Sequence, residues 1–452
     1  MADAAVATIE RSFYRSPGHW NACVPSACGT LVRDWGADTL TAALALRWQL
    51  SRDPSVPRIL TELAESTPLY TDCRRATCTM WSDVPLWDAV ADAQTFEVTR
   101  KPLALTKAET AFAFVDRSDA FALGACPAID FQKPAGGDTA LKTLETDSNY
   151  IKAALMLYRL SGNARYLVKA QTKYAAVRQF FLDPHVALYS VYVFDDGTHC
   201  TQLPQRFFAS VNGIMIENGL ALARATGLRH YRDESLATAR AVTRFLSDGA
   251  GVYADLQADN DIAGPLIEAM YEVAIGEHQH FARRWLIDAA TAAQPGPNGT
   301  YGRFFDGPPP NGPVSAWSAS GGLTLAIAAG AIDPDGRVAG NDWSHAQFVA
   351  DAIEKTPATI AFTGRAVALI GTIGEVCCEA GHVRIFIDGR ETFDNTGIWQ
   401  NKSPSSHRLP GSILLSWRWR WPGRHTVRIE PGIRNPKEGG SFVRLVGYEL
   451  DP

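Results

Sequence analysis

No run of apolar residues in this chain of 452 approaches the roughly 18–20 that a membrane-spanning helix needs, so no membrane span is expected. A surplus of basic charge is missing too: 43 Lys and Arg stand against 48 Asp and Glu, a net charge of -5. With no basic stripe to neutralise phosphates, nucleic acid is excluded as a partner. The opening residues, MADAAVATIERSFY, lack a charged segment followed by an apolar one, and no signal peptide is read there. Metal-ligand clusters are also scarce. His278 and His280 stand two apart on a helix and point to different sides, which reads as a solvated face. Neither a metal nor a cofactor is expected.

Cysteine is plentiful by comparison. The eight fall as Cys23/Cys28, Cys73/Cys78, Cys126, Cys200 and the adjacent Cys377/Cys378. Structural zinc favours tighter C-x2-C pairs with histidine nearby. An even count with two C-x4-C spacings points instead to an oxidising compartment. The expected bridges are 23–28, 73–78 and 126–200, with Cys377 and Cys378 either bridged to each other or two buried thiols. The chain is therefore expected to be secreted or periplasmic, with its leader already removed.

Hydrophobic residues at 46% and charged residues at 20% are ordinary for a globular protein, and the length allows two domains. Helical periodicity runs from about residue 30 to 330. The helices come as hairpins with short links, and the hairpins repeat one another. Leu160-Ser161-Gly162 followed by Tyr166 is matched by Ala225-Thr226-Gly227 followed by Tyr231, with each glycine suited to a left-handed C-cap. A repeated helix pair cannot bury its apolar face alone, so the pairs must stack. Six such pairs make an (α/α)6 barrel, and a turn around Ser344 to Ala352 is expected to complete the set.

After about Lys355 the pattern becomes short, alternating and β-branched. Asp388-Gly389 and Pro422-Gly423 are hairpin signals, and six or more strands make an antiparallel β-sandwich of about a hundred residues. Trp417, Trp419 and Trp421 alternate onto one sheet face and read as sandwich core, because Ile413 and Leu415 share that face. The fold class expected is thus mainly α: an (α/α)6-barrel domain over 1–352, then a β-sandwich accessory domain, carbohydrate-binding-like, over 353–452.

The stretch with most chemical content is Thr79-Met80-Trp81-Ser82-Asp83-Val84-Pro85-Leu86-Trp87. It reads as a loop entering a helix, with Ser82 as N-cap and Asp83 in the first turn. A carboxylate flanked by two indoles suits a sugar site: rings stack on the apolar face of a pyranose while the acid works on the glycosidic oxygen. The inner helices of the barrel are expected to start near Asp38, Asp83, Asp147, Asn212, Asp261 and Trp317. Aromatics lie close to most of them, namely Trp35, Trp81, Trp87 and Tyr150. Acids and rings gathered at one mouth define a ligand site. Asp83 is the expected general acid, with Asp147, Asp38 and Asp261 as partner carboxylates in that order. Asp147-Ser148-Asn149 offers three capping choices as well, so cap and catalyst both stand for Asp147. Asp196-Gly197 reads as a hairpin turn.

The pass from Trp81 to Leu246 resembles the family 76 glycoside hydrolases, α-1,6-mannanases with an (α/α)6 barrel. It rests on Trp81-Ser82-Asp83 with Trp87, on Asp147-Ser148-Asn149-Tyr150 with Leu157-Tyr158 and Gly162-Asn163, and on Val211-Asn212-Gly213. More loosely, the pass is similar to the unsaturated uronyl hydrolases of the same fold. The mannanase resemblance implies two consecutive aspartates, the first a nucleophile and the second an acid/base. Here Asp83 matches the second, but Ser82 stands in the place of the first. The uronyl hydrolases have a W-x-D segment with one essential acid and another Asp elsewhere, which implies Asp83 and Asp147 as the pair.

Three functions follow from these readings. The leading one is hydrolysis of glycosidic bonds in a polysaccharide or oligosaccharide. Candidate substrate contacts are Trp35, Trp81, Trp87, Asn149, Tyr150, Asn212, Asp261 and Trp317. The second is a lyase or uronyl hydrolase, for which Arg74, Arg75 and His199 are available. The third is a glycan-binding protein without catalysis, which predicts that Ser82→Asp creates activity. Sugar identity, linkage and oligomeric state are not legible.

Overall fold

A computed structural model of the chain describes residues 1–24, 31–32, 35–71, 80–118, 121, 124–132, 141–202, 207–254, 263–310, 312, 314–336, 343, 346–349, 358–373, 383–391, 409–431 and 445–451. The chain opens with α1 (Ala2–Thr8), which runs on into a π-helical turn at Ile9–Phe13. Helices then come in pairs: α2 (Trp35–Ser51) and α3 (Val56–Ser66), α4 (Asp83–Thr99) and α5 (Pro102–Asp116), α6 (Leu144–Ser161) and α7 (Ala164–Phe181). After these come α8 (Ala209–Thr226) and α9 (Arg229–Phe245), then α10 (Gly264–Ile275) and α11 (His280–Ala292), and α12 (Ala316–Ile332). The expected left-handed caps are present, at Gly162 with φ 71° and Gly227 with φ 73°. Asn163 then caps α7 through its side chain, which accepts from Arg165 N–H.

Contacts divide the chain into two compact units. One comprises 14–20 and 32–241, the other 1–13, 21–31 and 242–452. The domain boundary expected at 352/353 lies outside the described residues.

In the unit built on 32–241, α2, α4, α6 and α8 touch in succession, and the odd-numbered helices pack against them. The reason lies in the residue pattern. Helix α4 is buried almost all round, from Asp83 to Val98, and so is the first half of α8. Helix α7 buries chiefly a stripe, Ala170, Lys173, Tyr174, Val177 and Phe181, at helical spacing, with Ala176 beside it. An all-round apolar helix belongs inside and a striped one outside. Among the short strands beside them, β1 (Leu141–Thr143), β2 (Tyr192–Asp195) and β3 (Cys200–Gln202) form one antiparallel sheet. Asp196-Gly197 does form the turn between the last two, with φ 88° at Gly197. The Cys126–Cys200 disulfide is formed. Cys23 is also disulfide-bonded, while Cys28, Cys73, Cys78, Cys377 and Cys378 lie outside the described residues.

In the other unit, α12 packs against α10, α11 and α1. The turn expected around Ser344 to Ala352 does not complete the set. The last pair is completed by the N-terminal helix, whose alanine-rich Ala2–Thr8 was not read as one, and residues 347–349 form a strand. That strand, β4 (Gln347–Val349), begins a sheet with β5 (Ala358–Ile373), β6 (Val383–Ile387), β7 (Arg390–Glu391), β8 (Leu409–Pro431) and β9 (Leu445–Asp451). The order is β4-β9-β5-β8-β6-β7, antiparallel throughout. Asp388-Gly389 makes the expected hairpin, both residues having positive φ. Pro422-Gly423 does not. There β8 continues as a strand, and the five steps on it from Arg418 to Gly423 oppose the two steps from Gly364 to Ala366 on β5. Such a bulge bends a strand and changes which residues face inward. Ile360 and Phe362 point to the core before it, Val367 and Leu369 after it. Both halves of the bent strands thus supply one apolar core, with Leu415, Val427 and Ile429 from β8, as in a sandwich. Trp417 and Trp419 pack on that core as expected. Trp421, within the bulge, is carried out of it and is 72% exposed.

Candidate active site

The start of α4 is held by its neighbours. Ser82 occupies the N-cap position, but its hydroxyl makes no capping bond. It is fully buried and lies 2.8 Å from Phe131 C=O, 3.3 Å from Gln132 C=O and 2.7 Å from the Thr146 hydroxyl. Its N–H also donates to Gln132 C=O at 3.0 Å. Ser82 is thus a bracket joining the head of α4, the loop 124–132 and the head of α6. The next residues in line, Asp83 and Asp147, start from this common bracket.

Asp83 is the first residue of α4 and is 7% exposed. Beside it Trp81 lies open, 42% exposed, whereas Trp87 is buried. Helix α6 begins at Leu144 and is capped by Thr143, whose hydroxyl accepts from Glu145 N–H. Asp147 is therefore a turn inside the helix and not its cap.

Asp147 has no exposed surface. Lys173 of α7 lies 3.1 Å from one oxygen, and Asp130 N–H donates to both at 3.2 and 3.3 Å. The same lysine bonds the Asp130 carboxylate at 2.7 Å and sits 4.6 Å from the Tyr150 ring centre. Burial raises the Asp147 carboxyl, to about 7, against the opposing pull of Lys173. Burial works against the Lys173 ammonium as well, but Asp130 and Asp147 outweigh it and push it up. Asp147, Lys173 and Asp130 thus form a closed ionic network.

The loop bearing Asp130 is anchored in its turn. Buried Lys142 donates to Cys126 C=O at 3.0 Å and Ile129 C=O at 2.7 Å, and pairs with Asp195 at 3.4 Å. Asp195 accepts N–H groups of Ala125, Cys126 and Gly197, each at 2.9 Å. Burial alone would raise its carboxyl; these bonds bring it below the usual range. Gly124, at φ 127°, has to be glycine, since a Cβ there would overlap the Asp195 carboxylate.

Other expected residues go to structure or elsewhere. Asn149 is buried and donates to Glu145 C=O at 2.9 Å. The Tyr150 hydroxyl donates to Asp116 at 2.5 Å, and its ring packs 4.7 Å from Phe112. Asn212 of α8 is fully buried, accepting from Tyr189 N–H at 2.8 Å and donating to Tyr189 C=O and Phe208 C=O. Trp35 and Trp317 fall in the first turns of α2 and α12, but their side chains lie outside the described residues. Arg74, Arg75 and Asp261 lie wholly outside them. His199 sits exposed in the β2–β3 hairpin, 2.8 Å from Thr198 Oγ1.

Asp38 lies on α2, 7% exposed, in a small cavity of about 30 Å³ shared with Asp88 and Asp92 of α4 and with Trp20. Those two aspartates are five and nine residues beyond Asp83, roughly 7.5 and 13.5 Å of helix rise. The Tyr70 hydroxyl bonds Asp88, and the Thr67 hydroxyl reaches Asp92 at 3.3 Å. Burial, then the Asp88 charge, pushes the Asp92 carboxyl well up. Asp88 and Asp92 are not among the residues expected at the site. Their signal was two acids four apart on an otherwise apolar inner helix. Lys173, one lysine among several on an outer helix, carried none.

No protein-family model and no curated protein matches the sequence. Solved structures do. An α-1,6-mannanase of Salegentibacter sp., in an inactive form with two consecutive aspartates replaced and bound to α-1,6-mannotetrose, superposes with TM-score 0.62 at 15% identity, over 73% of this chain and 98% of that one. A family 76 glycoside hydrolase (mannosidase) of Bacteroides thetaiotaomicron gives 0.61 at 13% identity, over 74% and 97%. An unsaturated glucuronyl hydrolase specific for heparin gives 0.54 at 12%, over 74% and 97%. Over about three-quarters of its length the chain thus has the fold of the family 76 hydrolases, an (α/α)6 barrel, and a six-stranded antiparallel β-sheet follows.

Proposed function

We propose that the chain is a glycoside hydrolase acting on a polysaccharide or oligosaccharide, with an α-mannan as the first substrate to try. The observation that carries this reading is Asp83 at the head of an inner helix, beside the open ring of Trp81. Support comes from the fold, shared with an enzyme whose structure holds α-1,6-mannotetrose. In this reading Asp83 protonates the glycosidic oxygen while the Trp81 indole stacks on the apolar face of a sugar ring. A glycosidase also needs an ionised carboxylate across the bond, as nucleophile or as base for water. We put forward Asp38 for that role, a buried carboxylate on α2, the inner helix that packs against α4; the Asp147 oxygens meet Lys173 and the Asp130 N–H. We assign Asp147 to positioning: it ties α6 to the loop that also receives Ser82. Carboxylate acid–base chemistry of this kind needs no cofactor. The Cys126–Cys200 disulfide supports secretion.

One observation favours a second reading. Ser82 is spent on two carbonyls and a threonine, so this stretch offers a single acid, as in the unsaturated uronyl hydrolases. The experiment that separates the readings is a product assay on α-mannans, uronate-containing glycans and their unsaturated oligosaccharides. Reducing sugar released from mannan supports the first reading. Loss of the ultraviolet absorbance of an unsaturated uronide supports the second, and a gain of it indicates a lyase. Binding without any turnover would overturn the enzyme reading.

A further inference from the structure

The unit holding 242–452 contains a buried carboxyl pair that the proposed chemistry does not use. Asp248 follows α9, and Asp306 lies between α11 and α12; both are buried, Asp306 completely. Their side chains are in hydrogen-bonding contact with each other. The two carboxyls are not equivalent. Asp248 accepts N–H groups of Ala250 at 2.9 Å, Val252 at 3.0 Å and Arg418 at 3.2 Å. Apart from its own backbone N–H, Asp306 receives no N–H or O–H from any group among the described residues. Its polar neighbour is another acceptor. Two acceptors in contact in a dry interior require a proton between them, and the three donors around Asp248 make that residue the ionised one.

We propose that Asp306 is a neutral carboxylic acid donating its proton to Asp248, and that this shared proton makes the attachment of the 247–252 loop to β8 sensitive to pH. The attachment is visible at two adjacent points. Arg418 N–H bonds Asp248, and Gly249 bridges Trp419 of β8 in parallel register. Close packing leaves no slack, since Gly249 lies against Arg418 C=O and the Trp419 backbone.

The other charged groups here are Arg418 and Asp451 on the sheet and Arg303 on the Asp306 segment. The Arg418 guanidinium is buried and bonds Asp451 at 2.6 Å, lying 5.1 Å from the Trp343 ring centre. Arg303 stacks over Phe304 at 4.9 Å. Trp343 touches Asp306 through its indole N–H and the backbone carbonyl, 3.0 Å, which leaves the carboxyl untouched. Burial and then the Asp248 charge raise the Asp306 carboxyl, and Arg418 opposes them. A carboxyl raised by folding stabilises the protein most at low pH, and that share is lost as pH rises through the folded value.

The test is thermal unfolding of the full chain between pH 5 and 9, for wild type, Asp306→Asn and Asp248→Asn. An amide at 306 keeps a donor to Asp248 without a titrating proton. The wild-type midpoint is expected to fall from pH 6 to 9. The fall should be smaller in either variant, and Asp306→Asn should unfold above wild type at pH 9. A wild-type midpoint that does not fall over that range overturns the proposal without any variant. So does a variant that keeps the wild-type slope, or an Asp306→Asn midpoint below wild type at every pH.

Discussion

Lys173→Met is the perturbation with the clearest consequence, because the lysine alone balances two carboxylates within the described network. Its ammonium lies 2.7 Å from Asp130 and 3.1 Å from Asp147, and Asp147 has no exposed surface. Methionine matches the stem in length and keeps the packing against Tyr150, so the loss is electrostatic. Removing one partner of a buried pair costs about 3–5 kcal/mol. At roughly 2–4 °C per kcal/mol for a body of 150–250 residues, the midpoint should fall by roughly 6–20 °C. The sign of the pH effect is fixed as well. Burial already holds Asp147 up at about 7, and without the lysine it rises further. A carboxyl raised by folding loses stability as pH increases, so the deficit should be large at pH 8 and small at pH 5. Near-ultraviolet circular dichroism during heating measures both. An unchanged midpoint, or a deficit equal at the two pH values, would refute the network as described.

Three further outcomes can be checked. Ser82→Asp should lower the unfolding midpoint and create no activity, because its carboxylate would face the Phe131 and Gln132 carbonyls at a cost of at least about 1–3 kcal/mol. A folded variant with new mannanase activity would contradict the bracket role. Opening the Cys126–Cys200 bridge, which spans 74 residues, should cost about 4 kcal/mol on the chain-entropy account, measured as the midpoint with and without reductant; equal midpoints would contradict it. Trp81→Ala should raise KM about tenfold, or roughly 1.4 kcal/mol, with kcat retained, since its ring is open to solvent; an unchanged KM would remove it from the sugar contact.

The helical pairs could be read because their signals are local: an apolar period, a left-handed glycine, a tyrosine opening the next helix. The sixth pair could not, since α1 and α12 meet from opposite ends of the chain. The bend in β8 escaped for a related reason. Pro422-Gly423 is a fair hairpin signal on its own, but whether it bulges or turns is decided by pairing with β5 more than fifty residues away. At the site, Asp83 and its neighbouring tryptophans stood out as residues that folding alone does not demand. The role of Ser82 did not, because its partners lie about fifty and sixty residues further on. Asp147 looked equally suited to capping and to catalysis. Thr143 takes the cap instead, and what withdraws Asp147 from catalysis is Lys173, on another helix, which no spacing announces.

The central claim is that Asp83 acts on a glycosidic bond. The most direct test compares product release by wild type and Asp83→Asn on whichever glycan the wild type cleaves, with the fold of each checked by its unfolding midpoint. The asparagine keeps the shape and removes the proton, so turnover should fall by roughly 10²–10⁴, the usual contribution of a general acid, with the midpoint close to wild type. An Asp83→Asn protein that releases product at the wild-type rate would contradict the account.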